Sequence, residues 1–255
     1  MLNLGEMYHK YLIKLDNERE KDENLFHASS SGSCYRKLLY RYFDYPKGKK
    51  SMKSYMVLDL GTVVHKRFEE SIKWCIENDK KDADIYVEDD ISIPSLSVVG
   101  RYDVGAHDSN GDFWLYDIKT AAAYKWTTKF GLKKNRKPLS DTNYKLQLGT
   151  YAMGIRRKYK PESMTMFLFW YNKNTSQVRE QIVAPEWESK AYEYWADVNN
   201  ILAKYGKNFE NSDILMPGIS QGTPFQDWEC AYGTGKSRVY CDYYDVCPSK
   251  IGDKR

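Results

Sequence analysis

The sequence predicts an α+β protein: one mixed β-sheet flanked by helices. Three observations carry this. Two apolar runs, 98–106 and 113–118, flank Ser109-Asn110-Gly111, the usual spelling of a β-hairpin. A continuous apolar run at 164–171, MTMFLFWY, suits a strand buried inside a sheet. Helical periodicities before, between and after these strands give the order helix, three strands, helix, two strands, helix.

Taken in order, residues 1–24 read as a polar helix with Leu4, Met7, Tyr8, Tyr11, Leu12 and Leu15 on one stripe, ending in a solvated charge run. Residues 34–46 form a short helix after a small polar start, with Leu38, Leu39, Tyr42 and Phe43 on its apolar side and Pro46 as its stop. The basic segment 47–53 fits a solvated loop or a phosphate contact. Residues 55–78 place Met56, Leu60, Val63, Val64, Phe68, Ile72 and Cys75 at helical spacing, and His65 and Glu69 share a face. A partly polar strand at 85–93 precedes the hairpin. Residues 121–138 read as a long loop, the most basic part of the chain. Its Lys125, Trp126, Lys129, Lys133, Lys134 and Arg136 interleave charge with an aromatic ring, as a loop that holds a nucleic-acid strand does. Asp141-Thr142-Asn143 offers an N-cap to a helix at 144–158, on which Gln147 and Tyr151 share a face. An alternating edge strand at 178–183 and a long helix at 186–205 close the core. The tail from about residue 206 is turn-rich.

Composition narrows the class. Of 255 residues, 42% are hydrophobic and 29% charged, ordinary for a globular protein. No run approaches the roughly 20 apolar residues of a membrane span. The first residues lack a basic-then-apolar signal, so the expected location is the cytoplasm of a bacterial or infected host cell. A net charge of +4 is too small to declare a nucleic-acid binder by itself. The 22 Tyr and 7 Trp could fill a core or stack on bases. With no repeat and no linker, one domain over 1–255 is expected. Its catalytic core would be about 52–205, and a cysteine-bearing lobe would join 28–50 to 206–255.

The hairpin holds the chemistry. On its second strand Phe113, Leu115, Asp117 and Lys119 share a face, so an acid and a base interrupt an otherwise apolar surface. A three-residue loop with Gly111 in the left-handed region pairs Asp103 with Asp117. A two-residue Asn-Gly loop would set Asp103 opposite Ile118. The first is favoured, because it gathers two carboxylates and a lysine on one face. Close carboxylates repel unless a cation sits between them, and hard oxygen ligands select Mg²⁺ or Mn²⁺. Such a cation works on phosphates, with Lys119 placed to orient water or to stabilise developing charge.

Gly100-x-x-Asp103 on one strand and Asp117-Ile-Lys119-Thr on the next resemble the PD-(D/E)XK nuclease superfamily, in its RecB-type branch. That branch also places a histidine on a preceding helix after a glycine, as in Gly61-Thr-Val-Val-His65, and a Q-x-x-x-Y helix after the lysine strand, as in Gln147-Leu-Gly-Thr-Tyr151. The four elements occur in family order between residues 61 and 151. The resemblance implies a restriction-endonuclease-like core. It implies Asp103, Asp117, the Ile118 carbonyl and His65 as ligands of Mg²⁺ or Mn²⁺, and Lys119 as the catalytic lysine. Gln147 would contact DNA or that lysine, with Tyr151 its helical neighbour.

The cysteines extend the likeness. RecB-type exonucleases with an iron–sulfur staple, including CRISPR-associated and AddB-type members, place one cysteine in an early C-x-R-[KR] helix and three near the C-terminus. Cys34-Tyr-Arg-Lys matches the first; Cys241 and Cys247 match the final C-x5-C. Arg238 stands where a third is expected, and Cys230 is a displaced candidate. Four such thiolates suit a [4Fe–4S] cluster or structural zinc equally. Gly233-Thr-Gly-Lys-Ser237 is no nucleotide-binding loop, because Cys230 stands where its first glycine belongs. The resulting expectation is a metal-dependent DNA exonuclease acting on single strands or free ends, in recombination, repair or phage genome processing, with recombination or replication proteins as possible partners. A CRISPR-adaptation-type nuclease, an endonuclease and a non-cutting DNA-end-binding protein are the alternatives.

Overall fold

A computed structural model describes residues 3–18, 24–48, 51–78, 82–131, 141–211, 241–243 and 246–247. The helices are α1 (Leu4–Asn17), α2 (Tyr35–Tyr42), α3 (Met52–Asn78), α4 (Ala123–Lys129), α5 (Thr142–Tyr159) and α6 (Glu186–Tyr205). The strands are β1 (Phe26–His27), β2 (Ala83–Ile93), β3 (Val98–Asp108), β4 (Asp112–Ala121), β5 (Ser163–Asn172) and β6 (Val178–Val183). They form one sheet in the order β1-β3-β4-β5-β6, with β2 pairing the other side of β3. The pairings β1–β3 and β4–β5 are parallel and the rest antiparallel. The sheet is therefore mixed, as expected.

The hairpin turn sets the register. Gly111 has φ +85°, and its amide donates to the Asp108 carbonyl at 3.2 Å. A side chain is strained in that backbone, and a Cβ on Gly111 would lie 2.7 Å from Glu162 Cγ. The β3–β4 ladder runs from His107↔Phe113 to Val104↔Tyr116. One step further, the same register sets Asp103 opposite Asp117, the three-residue-loop alternative.

Alternation on β5 divides the core. Met166, Leu168 and Trp170 are buried on one face, where Tyr144 of α5 meets Trp170 edge-on, 5.6 Å between ring centroids. Phe169 and Tyr171 point the other way, and Phe68 of α3 packs edge-on to both, at 5.1 and 5.6 Å. The run 164–171 is therefore half-buried by turns rather than buried throughout, and its strand lies next to the edge. α6 packs outside α5, where a Cβ on Gly149 would fall 2.1 Å from the Trp187 carbonyl oxygen. Only glycine lets the two helices approach this closely.

The segment expected as a long loop contains α4, closed by the Phe130 amide donating to the Trp126 carbonyl. Apolar burial of Trp126 stabilises this short helix against an otherwise polar local sequence. Asp141 does precede α5, but its side chain makes no cap hydrogen bond. It pairs instead with Lys129 and with Lys145 at 3.1 Å, and accepts from Gln181 at 2.8 Å.

Candidate active site

The candidate site lies where the β3–β4 ladder stops, between α3 on one face of the sheet and α5 on the other. Asp103 closes the ladder with its own side chain: the Ile118 amide donates to Asp103 Oδ2 at 2.5 Å. Asp117 is 1% exposed. Lys119 Nζ forms an ion pair with Asp117 Oδ2 at 2.7 Å. Lys119 Nζ donates to Gln147 Oε1 at 3.0 Å, and Gln147 Nε2 donates to the Tyr151 hydroxyl at 2.7 Å. His65 Nδ1 stands 3.8 Å from Asp103 Oδ1. Asp103, Asp117, Lys119, Gln147 and Tyr151 thus form one connected group, with His65 at its rim.

Burial and charge decide the protonation states. Burial pushes Asp117 up to about 6, against the pull of Lys119 and with a further push from Asp103. Asp103 is raised as well, mainly by burial, although Lys119 and the Ile118 amide oppose it. Burial would lower Lys119, but Asp117 and Asp103 outweigh it and hold the lysine above its ordinary value. His65 is lowered by burial and by Lys119, which favours the neutral imidazole, the form that ligates metal.

Two acids outside the expected set face this group. Glu88 lies opposite Asp103 in the β2–β3 register, at φ +53°. Burial, Asp103 and Glu69 raise it to about 7, and Glu69 on α3 hydrogen-bonds to it. Glu69 was legible only as the residue four after His65; nothing local to Glu88 announces it.

The expected nucleic-acid residues fare differently. Trp126 is 2% exposed and is not available for stacking on a base. Lys129 is spent on its ion pair with Asp141, and its side chain is 9% exposed. Lys125 donates to the Tyr144 hydroxyl and lies over that ring at 4.6 Å. Lys125 shares the Tyr144 ring with Lys119, and Lys125 and Lys129 both lie over Trp170, so these side chains line the core beside Lys119. Lys133, Lys134 and Arg136 lie outside the described residues.

Cys34 precedes α2 and is buried. Burial pushes its thiol up to about 12, against hydrogen bonds from the amides of Lys37 and Arg36, and Cys241 and Cys247 raise it further. Both ends of the chain therefore bring thiols to one place: Tyr40 also stacks on Tyr243 at 5.3 Å and donates to the Val246 carbonyl. Cys230 lies outside the described residues. Among the described residues, no three His, Cys, Asp or Glu side chains are grouped to hold a metal ion.

The family model for the PD-(D/E)XK nuclease superfamily matches residues 3–248. The chain belongs to that superfamily. Among solved structures, SSO0001 is 17% identical, with a TM-score of 0.56 over 97% of both chains. That likeness shows a shared fold across nearly the whole length of both chains. A protein of Eubacterium rectale assigned as an exonuclease is 15% identical over 78% of this chain and 86% of its own, with a TM-score of 0.49. An alkaline exonuclease of Laribacter hongkongensis is 14% identical over 72% and 92%, with a TM-score of 0.36. No curated protein sequence matches this nuclease-family chain. Among its described residues no helix is long and apolar enough to cross a membrane.

Proposed function

We propose that the protein is a metal-dependent deoxyribonuclease that shortens single-stranded or end-exposed DNA, in recombination, repair or phage genome processing. Asp117 carries the reading. Its buried carboxylate leans on Lys119 for charge balance while Asp103 adds a second carboxylate nearby, and a bound cation would relieve that cost. The donor set fits. Asp103, Asp117 and the Ile118 carbonyl, with neutral His65, would hold Mg²⁺ or Mn²⁺. Bound there, the ion would polarise the scissile phosphoryl group and lower the pKa of a bound water.

The other roles fall to the chain itself. Lys119, held protonated between Asp117 and Gln147, would stabilise charge developing on the phosphoryl oxygens or orient the attacking water. Gln147 would position that lysine, and Tyr151 would position Gln147. Asp103 would fix the spacing of the two hairpin strands while offering its free oxygen to the site. The preference for single strands or ends rests on the likeness of His65, Gln147 and Tyr151 to the RecB-type motifs.

The test is a cleavage assay in Mn²⁺ on linear and circular DNA, single- and double-stranded. Wild type should degrade linear DNA and spare circles, and Lys119→Ala and Asp117→Ala should each lose about 10²–10⁴-fold in rate. No degradation by wild type, or wild-type rates in both variants, would overturn the reading; cleavage of circles would replace exonuclease by endonuclease.

We propose further that Cys34, Cys241 and Cys247, with Cys230 as the fourth thiolate, hold a structural [4Fe–4S] cluster or a zinc ion, pinning the two chain ends together. Support comes from the influence of Cys241 and Cys247 on the buried thiol of Cys34, some two hundred residues earlier in the chain. Anaerobically purified protein should carry bound iron with visible charge-transfer absorption, or one zinc per chain. Protein free of both metals would remove this proposal without touching the nuclease site.

A further inference from the structure

α3 is the longest helix among the described residues, 27 residues, yet none of its described side chains is buried. α1, which packs chiefly against α3, buries only Leu12. Among the described residues, eleven of the sixteen exposed large hydrophobics belong to these two helices, five on α1 and six on α3. Scattered apolar residues need no explanation, but a concentration on one pair of helices marks an interaction surface.

The shape of that surface is specific. On α3, Met52, Met56, Val57 and Leu60 line an apolar groove of about 550 Å³, to which Lys53 adds its side chain. On α1, Leu4, Met7 and Tyr11 lie within one angular sector, because they are three and four residues apart. They are 73%, 52% and 54% exposed and make an apolar ridge. One chain thus presents a groove and a ridge side by side. A second copy, related by a two-fold axis, can place its ridge in the first copy's groove and receive the first copy's ridge in return. The area is sufficient. Eleven side chains from 37% to 73% exposed leave on the order of 1,000 Å² of apolar surface, against about 800 Å² per partner for a stable interface. The two methionines of the groove add adaptability, since an unbranched thioether fills an irregular gap at little cost.

We propose that α1 and α3 form a homodimer interface, an isologous four-helix contact. It goes beyond the nuclease reading and does not depend on it. The contact would cover the outer side of the helix that carries His65 and Glu69, completing in the dimer the burial that this helix lacks in a single chain.

The experiment is light scattering on the full chain after size exclusion, without DNA or divalent cations, at low and high salt. Wild type should run near twice its 29.9 kDa, and high salt should not dissociate it, because the contact is apolar. The double variants Leu60→Glu/Val63→Glu, at the groove wall and the next exposed turn of α3, and Leu4→Glu/Met7→Glu on the ridge should each run as monomers with unchanged far-ultraviolet circular dichroism. Should either misfold, the milder Leu60→Ser/Val63→Ser should still raise the dimer dissociation constant at least about tenfold, the scale of one lost apolar contact at an interface centre. Wild type that stays monomeric at every concentration overturns the proposal, and so does a dimer that survives both double variants. A monomer that cleaves DNA would sink the dimer and leave the nuclease standing; a dimer without cleavage would do the reverse.

Discussion

α5 and α3 both bring residues to the same site, but they are held there in opposite ways. α5 is a core helix: nine of its residues from Leu146 to Ile155 are buried, Gln147 and Tyr151 among them. It is clamped between the sheet and α6 by an approach that only Gly149 permits. α3 buries none of its described side chains and touches the sheet through Phe68, Gly61 and the neighbourhood of His65. The lysine half of the site therefore inherits the rigidity of the core. The histidine half rests on a helix whose outer side is still uncovered.

The sharpest break of this contrast is Gly149→Ala. The new methyl would meet main chain rather than a movable side-chain tip, so α5 and α6 must separate. A loss of about 3 kcal/mol or more is expected in urea unfolding. A loss below about 1 kcal/mol would mean that α5 is no more fixed than α3. Next comes Gln147→Leu, which removes the acceptor from a buried ammonium while keeping the volume. A hydrogen bond to a charged group is worth about 1.5–3 kcal/mol, so kcat should fall about 10–100-fold with KM for DNA little changed. An unchanged kcat would remove α5 from the catalytic arrangement.

Glu88→Gln probes the α3 side through pH. The folded protein raises Glu88 from 4.5 to about 7, so the native state binds its proton more tightly than the unfolded chain does. Stability from this group is complete below the unfolded value and is lost as pH rises from about 4.5 through about 7. In chelator, Glu88→Gln should thus match wild type at low pH and exceed it in stability above pH 7. A constant difference across that range would show that Glu88 is not the group that titrates. The smallest effect belongs to the exposed face: in the monomeric Leu60→Glu/Val63→Glu background, Leu58→Ser on α3 should change unfolding free energy by no more than about 0.5 kcal/mol. A larger loss would show that α3 is packed more firmly than its exposure indicates.

The same contrast explains what could be read from the sequence. β6 and α6 end where their periodicity ends, and the hairpin register followed from Gly111, because a single left-handed glycine fixes which residues oppose one another. Asp103, Asp117 and Lys119 come together through that local geometry, and Gln147 and Tyr151 through one helical turn. α4 was missed because its stability comes from burying Trp126 among distant partners, not from its own polar sequence. Lys125, Trp126 and Lys129 looked like a surface loop for the same reason: composition cannot show that Tyr144, Trp170 and Asp141 wait to receive them. Glu88 depends on a backbone excursion in β2 and on a helix nineteen residues earlier, and no spacing rule connects the two.

Asp103 has a consequence of another kind. Its carboxylate takes the Ile118 amide that a strand neighbour would otherwise take. Replacing Asp103 therefore removes a charge and unpins a main-chain proton in one stroke, and the two losses are inseparable in any activity measurement. The Ile118 amide then serves as a resident gauge. Its exchange with solvent deuterium, slow while Asp103 holds it, should accelerate when that oxygen is drawn toward another partner. Occupancy of the site could be followed at one backbone position, with no substrate present.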